Sequence, residues 1–223
     1  MINRLRRFFS TPLTDYFIPL LLLAVSGLAY GLLFLWQGYY WDDFPFTWIA
    51  RTYGPQGLQN YFSTMRPAWG LLHQLPNSLL GEAPWQWQLF GLFWRWLSAV
   101  TFWLALRLVW PRQRFAVVLA ALAYLVYPGF GQQPIANCYG HFFLLLSIFF
   151  FSFYASLLAL QGGRPAKLWL AVALLCALIN LVTLEYFYLL ELLRPLLFAF
   201  SPALSKLRGR ERFKRAMILW LPY

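Results

Sequence analysis

Two adjacent carboxylates, Asp42 and Asp43, stand in the stretch GYYWDDFPFTW, directly after a long apolar run. Neighbouring acids that are partly buried resist ionising together, so one pairs with a cation or keeps its proton towards neutral pH. A carboxyl poised in that way can serve as a general base. Successive side chains also diverge, which leaves one carboxylate for a reacting group and the other for the N-terminus of the helix that FPFTW opens. A solvated loop start fits the pair equally well. The candidate counter-charges are Arg66, in MRPAW, and Arg95, in LFWRWLS. Arginine's planar fork suits phosphate. Arg95 lies inside an apolar segment and either snorkels outward or meets an anionic headgroup.

Other polar groups interrupt the apolar runs. His141, at the mouth of one run, either donates to a phosphate or caps the interface; Asn137 and Tyr139 are weaker candidates beside it. Glu185 falls in a turn expected at the level of the aspartates, where it would complete an acidic cavity. Glu191 and Arg194 are spaced i, i+3 and can neutralise each other on one helix face, with Pro195 expected to kink that helix. Cys138 and Cys176 form no CxxC and no Cys/His cluster, so neither zinc nor a redox centre is indicated.

These groups need a membrane protein to hold them. The chain is 61% hydrophobic and 11% charged, whereas a soluble domain is about a quarter charged. Six apolar segments are candidate spans: Tyr16–Trp36, Trp87–Trp110, Phe115–Phe130, His141–Leu160, Leu168–Thr183 and Tyr186–Phe200. The first exceeds a signal-peptide core and is expected to be uncleaved. With the N-terminus inside, fourteen of the eighteen Lys and Arg, from Arg4, Arg6 and Arg7 to Lys214 and Arg215, fall on the inner side. That asymmetry follows the positive-inside rule and puts Asp42 and Asp43 outside. It also explains the net charge of +11 without nucleic acid. The weakest stretch is Leu168–Phe200, short for two crossings and long for one. Gln37–Trp85 is an outer loop in which FPFTWIARTYG and PAWGLLHQL read as two short interfacial helices, separated by a turn at Gly54, Pro55 and Gly57. The expected fold is therefore an all-α polytopic bundle of about six spans, one transmembrane domain over residues 1–223. The closing MILWLPY reads as the start of a further span, so the chain is expected to be the N-terminal part of a longer protein.

A basic N-terminus, one span, then WDDFPFTWIARTYG and MRPAWGLLHQL in a long outer loop resembles the GT-C superfamily of membrane glycosyltransferases, specifically its GtrII-like and protein-mannosyltransferase-like bacterial members. The resemblance covers the topology, but its motif is short: Asp42-Asp43 after the first span and Arg66-Pro67 later in the loop. It implies transfer of a sugar from a polyprenyl-phosphate carrier to an acceptor on the outer face of the bacterial inner membrane. Asp42 or Asp43 would be the base, with a slight preference for Asp43. Arg66 and Arg95 would steady the departing phosphate, with His141 and Glu185 in the substrate site. Some members hold a divalent metal on these acids and others do not, so metal use stays open. Many members carry further spans or an outer domain after this core. The competing expectations are a non-catalytic scaffold, in which the aspartates only end a helix, and a lipid-linked sugar carrier using Arg95, Glu185, Glu191 and Arg194 as a polar path.

Overall fold

A computed structural model describes residues 14–223, and every regular element among them is helical. The elements are α1 (Thr14–Ser26, continued by a π-helical turn at Gly27–Gly31), α2 (Asp43–Tyr53), α3 (Gln56–Phe62), α4 (Pro67–Leu79), α5 (Pro84–Val109), α6 (Arg114–Leu125), α7 (Ala136–Gln161), α8 (Ala166–Thr183), α9 (Tyr186–Leu190), α10 (Leu193–Phe200) and α11 (Gly209–Trp220). Arg4, Arg6 and Arg7, which anchor the expected inner N-terminus, lie outside the described residues.

Three of these helices, α5, α7 and α8, are long and apolar enough to cross a membrane. The other expected spans are shorter than the apolar runs suggest, each for a local reason. α6 stops at Leu125 rather than Phe130, because Pro128 and Gly129 cannot continue it. Its 12 residues reach about 18 Å, against a hydrocarbon core of about 30 Å. The run Tyr186–Phe200 breaks between α9 and α10. Pro195 has no N–H, and its ring disfavours helical continuity with the carbonyl of Glu191, four residues earlier. α1 leaves regular α-geometry at Gly27, well short of Trp36.

The chain divides into two compact units. One comprises Leu20–Ala99 and Leu122–Ser147 and contains the whole loop α2–α4. Both expected loop helices are present, Pro67 takes the first position of α4, and Gly54 ends α2 at φ 73°, a conformation that favours glycine. A third helix, α3, fills the segment expected to be only a turn. Within this unit α5 and α7 come close where both carry glycine. A Cβ on Gly140 would stand 2.7 Å from Phe90 Cδ1 and 3.3 Å from Gly91 Cα. Small residues at a crossing allow such close approach of membrane helices.

The second unit comprises Val100–Ala121 and Ile148–Tyr223, with the N-terminal segment as far as Pro19. Its core gathers Val109, Leu157, Phe198, Leu204 and Ala216. At one end Asp15 pairs with Arg107 and, at 3.3 Å, with Arg114.

Candidate functional site

The two aspartates diverge. Asp42 stands exposed at the N-cap of α2 and makes no capping hydrogen bond through its side chain. Asp43, one residue on, is wholly buried. Its Oδ1 accepts the Cys138 backbone N–H at 3.0 Å, and Oδ2 has no partner. Cys138 lies in the first turn of α7, so Asp43 offers a carboxylate to the unpaired amides of a helix it does not belong to. Burial pushes the Asp43 carboxyl up to about 7, and the amides of Cys138, Ala136, Asn137 and Tyr40 oppose that rise. The divergence starts one residue earlier. Trp41 has φ 46°, left-handed for a bulky side chain, at a cost of about 1–3 kcal/mol.

Beside this corner lies a cavity of about 280 Å³, lined by Tyr39, Thr47, Arg51, Asn77, Glu82, Trp87 and Asn137 among others. Tyr39 Oη donates to the Glu82 carbonyl at 2.6 Å, and Arg51 Nε donates to Glu82 Oε2 at 2.7 Å, an exposed pair. Burial raises the Tyr39 phenol from its ordinary value; the Thr47 hydroxyl, near it but outside hydrogen-bonding geometry, opposes the rise and the nearby Asp43 adds to it. Thr47 Oγ1 and both amide atoms of Asn137 are buried without a hydrogen-bond partner. Buried polar groups are ordinarily satisfied, so these atoms give the cavity unused donors and acceptors.

Behind Asn137 the chain's two histidines stack. The rings of His73 and His141 lie 3.7 Å apart at 30°, both fully buried, with Trp69 and Phe90 packed around them. His141 Nδ1 contacts the Asn137 carbonyl at 2.6 Å. Its Nε2 and both nitrogens of His73 have no hydrogen-bond partner. The side chain of Asn137 lies near His73, but not in hydrogen-bonding geometry. Burial, and then the neighbouring His141, hold His73 well below the ordinary imidazole value.

Arg95 is not brought to the aspartates. It is wholly buried, with Nε and Nη2 donating to the Leu125 carbonyl at 3.0 and 2.9 Å. Nη1 reaches Gln133 Oε1 at 3.1 Å, and the guanidinium lies 3.6 Å from the Tyr30 ring centroid. Leu125 ends α6, so Arg95 satisfies a terminal carbonyl and clasps the 125–133 turn. Neither alternative read from the sequence, outward snorkelling or a headgroup, describes this arrangement. Arg66 is half-buried at the N-cap of α4. Glu185 is exposed at the N-cap of α9, in the other unit. Glu191 and Arg194 form the expected pair at 2.6 and 2.7 Å, with Arg194 also donating to Ser152 and Ser156 Oγ. Those bonds occupy both groups.

The sequence reading missed His73, Thr47 and Trp87 as parts of one locality. The available signal for His73 was the i, i+4 spacing from Trp69, which puts indole and imidazole on one face of α4. Among the described residues no group of three or more His, Cys, Asp or Glu gathers in a form that could hold a metal ion. Comparison with family models, with curated proteins and with solved structures gives no match for this chain.

Proposed function

We propose that the chain belongs to a membrane glycosyltransferase of the GT-C type, moving a sugar from a polyprenyl-phosphate carrier to an acceptor on the outer face of the bacterial inner membrane. The N-terminus lies inside in this reading, and α1, α6 and the α9–α10 pair complete about six crossings as short or tilted segments. One observation supports the reading: the unit that holds the exposed Asp42 and the buried Asp43 also holds a cavity lined by Tyr39, Thr47, Asn77, Trp87 and Asn137, although neither aspartate is part of that lining. Hydroxyl and amide groups with aromatic rings suit a neutral, hydroxyl-rich ligand.

In this mechanism Asp42 takes the proton of the acceptor hydroxyl. The oxygen then attacks the anomeric carbon while the bond to the carrier's phosphate oxygen breaks, its electron pair leaving with the phosphate and the anomeric centre inverting. Asp43 acts as a positioning residue, fixing α2 against the first turn of α7. Arg66, later in the same loop, meets the phosphate in this reading, and Arg95 does not, because its donors are committed to carbonyls and Gln133.

A second reading, a non-catalytic scaffold, draws on the same facts differently: Asp43 and Arg95 both satisfy helix ends. The two separate by assay. The full-length protein is given radiolabelled polyprenyl-phosphate sugar and membrane acceptor. Asp42→Asn is expected to lower transfer by about 10²–10⁴-fold, while Asp43→Asn, which keeps an acceptor oxygen for Cys138 N–H, loses less. Transfer unchanged in both variants, or absent from the native protein, favours the scaffold.

A further inference from the structure

The unit that contains Val100–Ala121 and Ile148–Tyr223 carries a cleft of about 260 Å³ lined only by apolar residues, among them Phe102 and Leu106 of α5, Trp110 just after its end, Phe153 of α7, and Leu196 and Phe200 of α10. Its character changes abruptly at one end, where the rings of Trp110 and Phe200 lie 6.4 Å apart. After Trp110 the chain passes through Pro111 to the exposed Arg112. After Phe200 comes Ser201, whose carbonyl accepts from Arg212 Nη2 at 3.4 Å. The Nε of Arg212 is buried and has no hydrogen-bond partner. Around it, residues 206–215 hold six basic side chains against one acid, Glu211. Two other arginines of the unit, Arg107 and Arg114, are already paired with Asp15.

An apolar slot that opens beside unbalanced cations matches one kind of molecule, with a hydrocarbon tail and an anionic head. Basic residues crowd the first half of α11, while its apolar second half packs into the core of the unit. α11 starts with Arg210, Arg212, Lys214 and Arg215 and ends in Ala216, Met217, Ile218, Leu219 and Trp220. Basic groups at a membrane surface favour anionic over zwitterionic lipid by about 1 kcal/mol each, roughly fivefold. We propose that this cleft holds one acyl chain of an anionic phospholipid, its phosphate gripped by Arg212 and Arg112. The proposal does not depend on sugar transfer.

The purified full chain, in neutral detergent, is titrated with dioctanoyl phosphatidylglycerol and with dioctanoyl phosphatidylcholine, binding being read by tryptophan fluorescence. Saturable binding about 25-fold tighter for the glycerol lipid is expected. Arg212→Gln and Arg112→Gln should each remove about fivefold of that preference. Arg112 is exposed, so its variant leaves the packing intact. Leu196→Trp, or Leu193→Trp if the first does not fold, fills the cleft from a position more than a third exposed and should weaken both lipids together. Equal affinity for the two lipids overturns the proposal. So does displacement of phosphatidylglycerol by equimolar inorganic phosphate, which would reveal a simple anion site, or full binding by the Trp variant, which would reveal annular contact only.

Discussion

His73 and His141, the only histidines in the chain, meet face to face with ring centroids 3.7 Å apart, joining the loop helix α4 to the long helix α7. A stack of buried imidazoles tolerates little charge. The unfolded chain takes up a proton on His73 near its ordinary value of 6.5, whereas the folded chain refuses it until well below. This contribution to stability is complete above pH 6.5 and is lost as pH falls through and below it. Thermal unfolding in detergent should therefore show a midpoint that drops on acidification below about pH 4, where the opposing effect of Asp43 has ended. His73→Phe, which keeps the ring packing, should flatten that drop.

Asp43 has the opposite sign. Its folded value of about 7 lies above the ordinary 3.8, so the folded chain keeps a proton that the unfolded chain releases. Its contribution is complete below about pH 4 and is lost as pH rises through about 7, with a slope of at most about 1.4 kcal/mol per pH unit. Between these limits the His73 and Asp43 effects oppose each other. Asp43→Asn should remove the alkaline-side loss and leave the acid-side loss steeper.

Arg95 provides a test of structural against substrate-binding roles. Arg95→Leu strands the Leu125 carbonyl and Gln133, and should cost about 2–4 kcal/mol of stability. Arg95→Lys should recover little of it, because an ammonium cannot fork onto Leu125 and Gln133 together. If Arg95→Lys instead unfolds like the native chain and changes only the KM for the lipid carrier, the clasp is not its role.

Glu191→Gln leaves Arg194 buried with its main counter-charge gone, at a cost of about 3–5 kcal/mol. The double variant Glu191→Leu, Arg194→Met should be closer to native than either single change. Chemical denaturation of the four proteins gives the coupling. Independent single-site effects would contradict the pair.

Much of the fold was legible because apolar runs and punctuation act locally. Trp87–Trp110 and His141–Leu160 appear as helices a few residues longer at their N-terminal ends, and Pro67 starts α4 as its ring geometry dictates. The site was less legible because it depends on distant partners. Nothing near Asp43 in the chain indicates that its carboxylate seeks the amide of Cys138, nor near Arg95 that a carbonyl thirty residues on takes its fork. The expected loop through Cys138 is in fact the first turn of α7, which supplies that amide. Hydropathy also overstated α6, since it registers apolar content but not where a terminal carbonyl finds its donor.

The proposed sugar transfer requires the acidic loop to face the outside and, with the N-terminus inside, Arg112 to face the cytoplasm. Cysteine labelling tests this directly. In a Cys176→Ser background, with Cys138 buried, Trp48→Cys and Arg112→Cys variants are treated in intact cells with a membrane-impermeant maleimide. Labelling of Trp48→Cys alone, with Arg112→Cys reacting only after the membrane is opened, is the expected result. Labelling of Arg112→Cys in intact cells while Trp48→Cys stays protected would contradict it.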